Sequence, residues 1–360
     1  MVSSNVRKDE LKAMNTNLKA IGEEILEQER LCLESLGRSL ENANFGGKYA
    51  EQYYAEVGQN LWAGISKGNP LVTYPHFEEY GRGSGGELKD SKTPAKMKSI
   101  RSSSAMTYNL LGNKQINLNN GANYFSNGMY SVEYEKQLYT IKRNLQPANL
   151  DAFLYNGENE EGIFCEMKMM EWIFNEPGSL KEAYENSDLY YPNCICGEKT
   201  MEAFRKAIYM LKGAMLARTG ADHFFRYDAW QMFKHTLGIY NMTSTITEDE
   251  MCRLCEKSKT EIKMIPTCKK ITLVNVVFEP GKEILSDNLQ VVYEKVCKME
   301  HEDFETFRQI MIDSGVVERF KADCDVDFDI RYMTAVEFMD CFGVGSRKAY
   351  LERYRLSKKY

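Results

Sequence analysis

Residues 149–171 read NLDAFLYNGENEEGIFCEMKMME, and this stretch predicts two short apolar strands joined by a polar loop. The first strand carries Asp151, and the second carries Glu166 and Lys168. Because side chains two residues apart on a strand share a face, Glu166 and Lys168 point the same way and Met167 points to the opposite face. If the two strands pair as a hairpin, Asp151 lies close to Glu166. The pairing gathers two carboxylates and one ammonium group at one spot on a sheet.

Such a cluster in a partly apolar setting is costly unless a cation or a substrate uses it. The carboxylates of Asp151 and Glu166, with the backbone carbonyl of Met167, form the set of hard oxygen donors that suits Mg²⁺, or Mn²⁺ in its place. A bound Mg²⁺ lowers the pKa of a coordinated water and neutralises charge that builds up on a phosphodiester. Lys168 can orient that water or help to deprotonate it. The stretch therefore predicts a site for metal-assisted hydrolysis of phosphodiesters.

An Asp on one strand followed by Glu-x-Lys on the next resembles the core motif of the PD-(D/E)xK nuclease superfamily. The matching residues are Asp151, Glu166 and Lys168, and Leu150 replaces the usual proline before the aspartate. The resemblance implies the restriction-endonuclease-like fold, which is an α/β fold with a mixed central sheet of about four core strands flanked by helices. It also implies a metal-dependent endonuclease whose expected substrate is DNA.

The same resemblance points to further site residues on helices. Members of the superfamily often place a Gln or a Lys near the reacting phosphate, on the helix that follows the Glu-x-Lys strand. Residues 227–237 have a helical pattern that puts Gln231 and Lys234 on one face. A helix before the sheet often donates a polar or acidic residue, and the helix predicted over 102–112 offers Ser104 and Asn109.

The remaining sheet is predicted from two further stretches. MYSVEYEKQLYTI, residues 129–141, alternates and predicts a strand that forms an antiparallel trio with the two strands of the hairpin. Its Glu133 and Glu135 are alternative metal ligands, although the alternation directs both toward solvent. KKITLVNVVFEP, residues 269–280, is apolar nearly throughout, which is typical of a strand buried on both faces. We expect it beside the Glu-x-Lys strand.

The chain is expected to divide into three parts. Residues 1–65 are predicted to form an N-terminal helical extension, residues 66–300 the nuclease core, and residues 301–360 a C-terminal helical extension. No apolar run is long enough to span a membrane, and the first residues lack the apolar core of a signal peptide. The ten cysteines follow no disulfide framework, which favours reduced thiols and a cytoplasmic location.

The net charge of −6 counts against a non-specific nucleic-acid binder. A nuclease needs only a local basic lining, however, and the most basic stretch runs from Lys89 to Arg101. This stretch can lie along a phosphate backbone, or it can be an exposed loop without such a role. A nuclease that cuts both strands usually works as a dimer, so a homodimer is an open alternative.

Other interpretations stay open at this point. The hairpin can be an ordinary half-exposed strand pair with a cross-strand charge pair. The chain can also be a binding module that keeps the fold without catalysis, or a helical, cysteine-bearing interaction protein. Four thiols are candidates for a structural zinc, although their spacing is irregular and reduced, unpaired thiols are the alternative: Cys194, Cys196, Cys252 and Cys255.

Overall fold

The computed structural model of the protein describes residues 4–37, 53–61, 79–81, 86–112, 114–121, 124–141, 147–186, 197–244, 265–343 and 348–357. Its α-helices within these ranges are α1 (Ser4–Ser35), α2 (Ser103–Leu111), α3 (Glu171–Phe174), α4 (Gly197–Thr219), α5 (Ala229–Ser244), α6 (Asp287–Asp313), α7 (Val316–Cys324), α8 (Ala335–Asp340) and α9 (Lys348–Leu351). Short 3-10 helices cover Val57–Asn60, Glu79–Gly81, Lys96–Lys98, Glu182–Glu185, Lys282–Ile284 and Glu352–Arg355.

The centre of the molecule is a mixed sheet whose six strands follow one another in chain order. They are β1 (Gln115–Leu118), β2 (Gly128–Leu138), β3 (Ala148–Asn156), β4 (Glu161–Lys168), β5 (Lys270–Val277) and β6 (Asp327–Thr334). The first four strands pair antiparallel, whereas β5 runs parallel to β4 and β6 runs parallel to β5. The antiparallel trio predicted around the hairpin is confirmed, and so is the position of β5 beside β4.

Helices cover both faces of this sheet and create two hydrophobic cores. The alternation of β4 divides its side chains between them, with Cys165 and Met167 in one core and Phe164 in the other. The first core contains the apolar faces of α1 and α2, and the second contains those of α4, α5 and α7. Burial on both faces explains why β5 is apolar nearly throughout.

The general α/β class fits the expectation, but the sheet is larger than the four strands expected. β1 and β6 were not foreseen, and β6 comes from the segment that was expected to be a C-terminal helical extension. The proposed boundary at residue 300 falls inside α6, which is one continuous helix. Among the described residues, no helix has the length and apolar character needed to cross a membrane.

Helix α2 forms as its sequence predicts. The Ser102 side chain accepts a hydrogen bond from the backbone N–H of Ala105 and so caps the helix start. Gly112 ends the helix with a φ of 57°, a left-handed conformation that glycine adopts without strain. The cap fixes the first turn of α2, where Ser104 lies.

Candidate functional site

An open cavity of about 500 Å³ lies where β2, β3 and β4 approach the first turn of α2 and the start of α5. Four of the predicted catalytic residues line it, namely Asp151, Glu166, Lys168 and Gln231. Other charged side chains on its wall are Glu87, Lys96, Arg101, Glu135 and Glu171. The cavity therefore collects carboxylates and cationic groups from segments that are far apart in the chain.

The pairing of β3 with β4 brings Asp151 to Glu166. Ala152 lies opposite Cys165 in the antiparallel register, so the next residue on each strand is Asp151 and Glu166. The Oδ2 atom of Asp151 accepts a hydrogen bond of 2.7 Å from the backbone N–H of Met167. The side chain of Met167 is buried in the hydrophobic core, so only its backbone takes part in the site.

Glu166 is held by three side chains at once. Its Oε1 atom accepts hydrogen bonds from Lys168 Nζ at 2.8 Å and from Gln231 Nε2 at 2.7 Å, and its Oε2 atom lies 2.9 Å from His235 Nε2. Lys168 Nζ also donates to Gln231 Oε1 at 2.6 Å. Because Gln231 and His235 lie one turn apart on α5, this helix fixes the orientation of the Glu166 carboxylate.

Helix α5 is itself anchored beside the cavity. Asp228 precedes its first residue and accepts a hydrogen bond of 2.9 Å from the backbone N–H of Gln231, which caps the helix. The helical pattern predicts Gln231 on this helix, and His235 lies one turn further along the same face. Its contact with Glu166 makes it a positioning residue for the site.

Burial and mutual repulsion shape the protonation of the carboxylates. Burial, Glu166 and Glu135 together raise the pKa of Asp151 well above its ordinary value. Burial, followed by the charges of Glu87 and Glu166, raises the pKa of Glu135 to about 8. Burial alone would raise the pKa of Glu166 as well, but Lys168 and His235 outweigh it and hold that pKa below its ordinary value. The cluster therefore has more carboxylate groups than its own cations neutralise.

Lys168 stays protonated in this setting. Burial would lower its pKa, but the charges of Glu166, Glu171 and Asp228 outweigh burial and raise that pKa above its ordinary value. A lysine with a raised pKa keeps its positive charge and is a poor base. Of the two roles considered for Lys168, orientation of a water is favoured over removal of its proton.

Glu87 is a site residue that the sequence did not single out. It lies in a glycine-rich segment, and its carboxylate accepts hydrogen bonds from Lys96 Nζ at 2.7 Å and from Ser104 Oγ at 3.1 Å. Ser104 was a candidate on the helix before the sheet, and it does line the cavity. The other candidate, Asn109, is buried elsewhere and donates hydrogen bonds to the backbone of Asn60 and to Tyr354.

Glu135 reaches the cavity through an irregular backbone. Its φ is 49°, which is rare for a residue with a side chain and interrupts the alternation of β2. The expectation that it faces solvent is wrong, because it is only 8 % exposed and lines the cavity. Glu133 was its alternative, and that residue forms an ion pair of 3.0 Å with Lys136.

The remaining predicted residues fall into two groups. Lys234 is half-buried on α5 and is not among the residues that line the cavity, and burial lowers its pKa. Its role stays a prediction. The four thiols proposed for zinc lie outside the described residues, so that proposal also stays untested: Cys194, Cys196, Cys252 and Cys255.

Part of the basic stretch is engaged within the protein. Lys98 forms an ion pair of 2.8 Å with Asp90, and Lys96 is the partner of Glu87. Lys89 and Lys92 are exposed. Arg101 lines the cavity, with its guanidinium 4.9 Å from the centre of the Phe174 ring. This part of the stretch offers positive charge at the cavity and on the adjoining surface.

The donor set suits a hard divalent cation. Glu135 is buried at the cavity, where the charges of Glu87 and Glu166 act on its carboxyl group. Glu135 and Asp151 both have a raised pKa, and a cation bound beside them would lower it. No three His, Cys, Asp or Glu side chains in the described ranges form a ready metal cage. Mg²⁺ usually takes one or two carboxylates and completes its shell with water and substrate phosphate.

Compared with known protein families, with curated proteins and with solved structures, the chain has no match in any of the three. The resemblance to the PD-(D/E)xK nucleases therefore depends on Asp151, Glu166, Lys168 and the pattern of the chain around them.

Proposed function

We propose that the protein is a Mg²⁺-dependent nuclease of the PD-(D/E)xK type that hydrolyses phosphodiester bonds in DNA. The observation that supports this most is the meeting of Asp151, Glu166, Lys168 and Gln231 at one open cavity. These residues come from three different elements, β3, β4 and α5. A purely structural charge pair would need neither Gln231 nor an open cavity.

The residues have distinct proposed roles. Asp151, Glu166 and the backbone carbonyl of Met167 hold the cation, which supplies charge neutralisation at the phosphate and a more acidic water. Lys168 holds that water in position through its protonated ammonium group, and Gln231 keeps the ammonium group and Glu166 aligned.

Substrate binding is proposed to use the positive charge beside the cavity. Arg101 lies at the cavity wall and is a candidate for contact with a phosphate next to the one that is cut. Exposed Lys89 and Lys92 extend this charge along the surface. Lys234 is kept as a further phosphate contact. We place the protein in the cytoplasm, where its thiols stay reduced, and keep a homodimer as the arrangement for cutting both strands.

The test is a cleavage assay on supercoiled plasmid and on single-stranded DNA with Mg²⁺ or Mn²⁺. Asp151→Ala and Lys168→Ala are expected to abolish cleavage, because the first removes a cation ligand and the second removes the group that positions water. Glu158→Ala is the matched control, since Glu158 is an exposed acid in the loop of the same hairpin. It is expected to cut like the wild type.

Three outcomes separate the alternatives. Equal cleavage by wild type, Asp151→Ala and Lys168→Ala would refute the assignment of the site. DNA binding without cleavage, and without heat on titration of Mg²⁺ or Mn²⁺, would favour the catalytically inactive binding module. Neither binding nor cleavage of any DNA or RNA would leave only the fold description.

A further inference from the structure

A second cavity of about 290 Å³ adjoins the first. The two share Lys168, Glu171 and Asn175 on their walls, so they lie side by side. The volume is near the lower end of about 300–1,000 Å³ that is usual for small-molecule sites. This volume is sufficient for one flat ring system.

Buried polar groups without partners line this second cavity. Glu300 is 2 % exposed and Tyr227 is 1 % exposed, yet Glu300 Oε2 and the Tyr227 hydroxyl make no hydrogen bond within the described residues. The same holds for Arg226 Nε. Asn275, which is 2 % exposed, brings an amide group to the same wall. An unmet buried polar group costs about 1–3 kcal/mol, so several around one cavity point to a ligand that satisfies them.

The apolar part of the wall suits a flat ring. Trp172 and Met232 line the cavity between the polar groups. The indole N–H of Trp172 donates a hydrogen bond of 3.1 Å to the carbonyl of Phe278, which holds the ring in place. A fixed aromatic ring beside mixed donors and acceptors is how proteins bind a nucleobase that has left its stack.

The charge of the wall argues against a phosphate in this second cavity. Four of its lining residues carry carboxyl groups, namely Glu171, Glu176, Asp228 and Glu300, whereas Arg226 and Lys168 are the cationic residues lining it. Ionised carboxylates repel an anion, and carboxyl oxygens accept hydrogen bonds from the amino and imino groups of a base. Burial raises the pKa of Glu300 well above its ordinary value, so the repulsion comes from the other three groups. The acidic wall therefore favours the base of a nucleotide over its phosphate.

The position of the cavity in the sheet connects it with the reaction site. Asn275 lies directly opposite Glu166 in the parallel pairing of β4 with β5. We propose that the second cavity binds one nucleobase of the nucleotide next to the cut phosphate, turned out of the base stack. This inference rests on the proposed nuclease function and assigns the second cavity a role in choosing where the strand is cut.

The experiment follows the base directly. The cut position is first mapped on plasmid DNA with Mg²⁺, and oligonucleotides are then made with 2-aminopurine at each of the positions flanking it. With Ca²⁺ in place of Mg²⁺ to hold the complex before cutting, the fluorescence is expected to rise several-fold at one flanking position. Asn275→Leu and Glu300→Gln are expected to reduce that rise and to weaken binding about tenfold, because the first removes a hydrogen-bonding amide and the second replaces a carboxyl oxygen acceptor by an amide donor.

Asn117→Leu is the matched control, because it makes the same substitution at an exposed position of the edge strand β1, far from the cavity. Each variant is checked for the far-ultraviolet circular dichroism of the wild type. Cleavage without a rise at any flanking position would overturn the inference and leave the nuclease assignment standing. A rise that Asn275→Leu and Glu300→Gln both leave unchanged would show that the base is bound elsewhere. If the wild type neither binds nor cleaves DNA, both proposals are refuted.

Discussion

Replacing Gly238 by alanine is expected to destabilise the protein, although alanine is the better helix former. Gly238 lies inside α5 where this helix packs on β2, and a Cβ atom there would be 2.6 Å from Leu138 Cβ. It would also be 3.5 Å from the backbone carbon of Leu138 and from Thr140 Cγ2. Because Leu138 Cβ is bonded directly to the backbone of β2, a change of rotamer cannot relieve this contact. Either the helix or the strand must move.

The magnitude follows from two opposing contributions. Alanine in place of glycine within a helix gains about 1 kcal/mol in propensity. Overpacking of a well-packed core costs about 1–3 kcal/mol, and a contact this short belongs at the upper end. We therefore expect a net loss of about 1–2 kcal/mol in the free energy of unfolding. Gly213 in α4 is the matched control, because a Cβ there meets nothing within 4 Å, and Gly213→Ala is expected to gain about 0.5–1 kcal/mol.

The same substitution is expected to affect the reaction site. Gly238 follows His235 by one turn of α5 and Gln231 by two turns, and both side chains hold Glu166. A displaced helix moves them away from the carboxylate, so we expect DNA cleavage to fall roughly tenfold to a hundredfold. Urea denaturation followed by circular dichroism measures stability, and the plasmid assay measures cleavage. If Gly238→Ala stabilised the protein as much as Gly213→Ala, the close packing of α5 on β2 would be refuted.

Three further predictions concern pH, positioning and metal binding. Burial raises the pKa of Glu29 to about 7 despite Arg353, whose Nη2 lies 3.1 Å away. The protonated Glu29 carboxyl therefore stabilises the fold fully below the ordinary pKa of 4.5, and this contribution is lost as pH rises through about 7. The loss lowers the free energy of unfolding by about 3 kcal/mol. In urea denaturation at pH 4–8, the decline should be smaller by this amount in Glu29→Gln than in the wild type, because other buried carboxyl groups such as Glu135 also titrate in this range. His235→Ala should lower cleavage about 10–100-fold and raise the Mg²⁺ concentration needed, since Glu166 loses a partner; unchanged Mg²⁺ dependence would contradict the positioning role. Mn²⁺ at 100 times its dissociation constant should stabilise the wild type by about 2.7 kcal/mol, measured by thermal unfolding, and should leave Asp151→Ala unchanged. A similar shift in both proteins would place the ion elsewhere.

The residues that could be predicted from sequence are those with short-range patterns. Asp151, Glu166 and Lys168 lie within one hairpin, so strand alternation and a local turn suffice to bring them together. The prediction of Gln231 depends on the resemblance to the PD-(D/E)xK nucleases as well as on the helical spacing of α5. Glu87 could not be placed in this way, because a hydrogen bond to Ser104 across a loop determines its position. Strand alternation also placed Glu135 wrongly, since alternation assumes a regular backbone.

The missed strands have a similar explanation. β6 reads DFDIRYMT, in which acidic and basic residues alternate with apolar ones. The strand lies at the edge of the sheet, and its charged side chains are the ones that face outward. This alternation by itself favours a strand, but it does not show with which strand the segment pairs. β1 has only four residues, which is too few for a periodic signal. In both cases the pairing partner, and not the local sequence, determines the strand.

The change from antiparallel to parallel pairing at β4 has a consequence for how the chain folds. β2, β3 and β4 are joined by short connections, whereas β5 reaches β4 only after α4 and α5 have been traversed, and β6 only after α6 and α7. Contacts between neighbours in sequence form before distant ones because less chain entropy is lost in closing the loop. The hairpin that bears Asp151 and Glu166 should thus acquire amide protection first in pulse-labelled refolding, before the helix that steadies its carboxylates has docked.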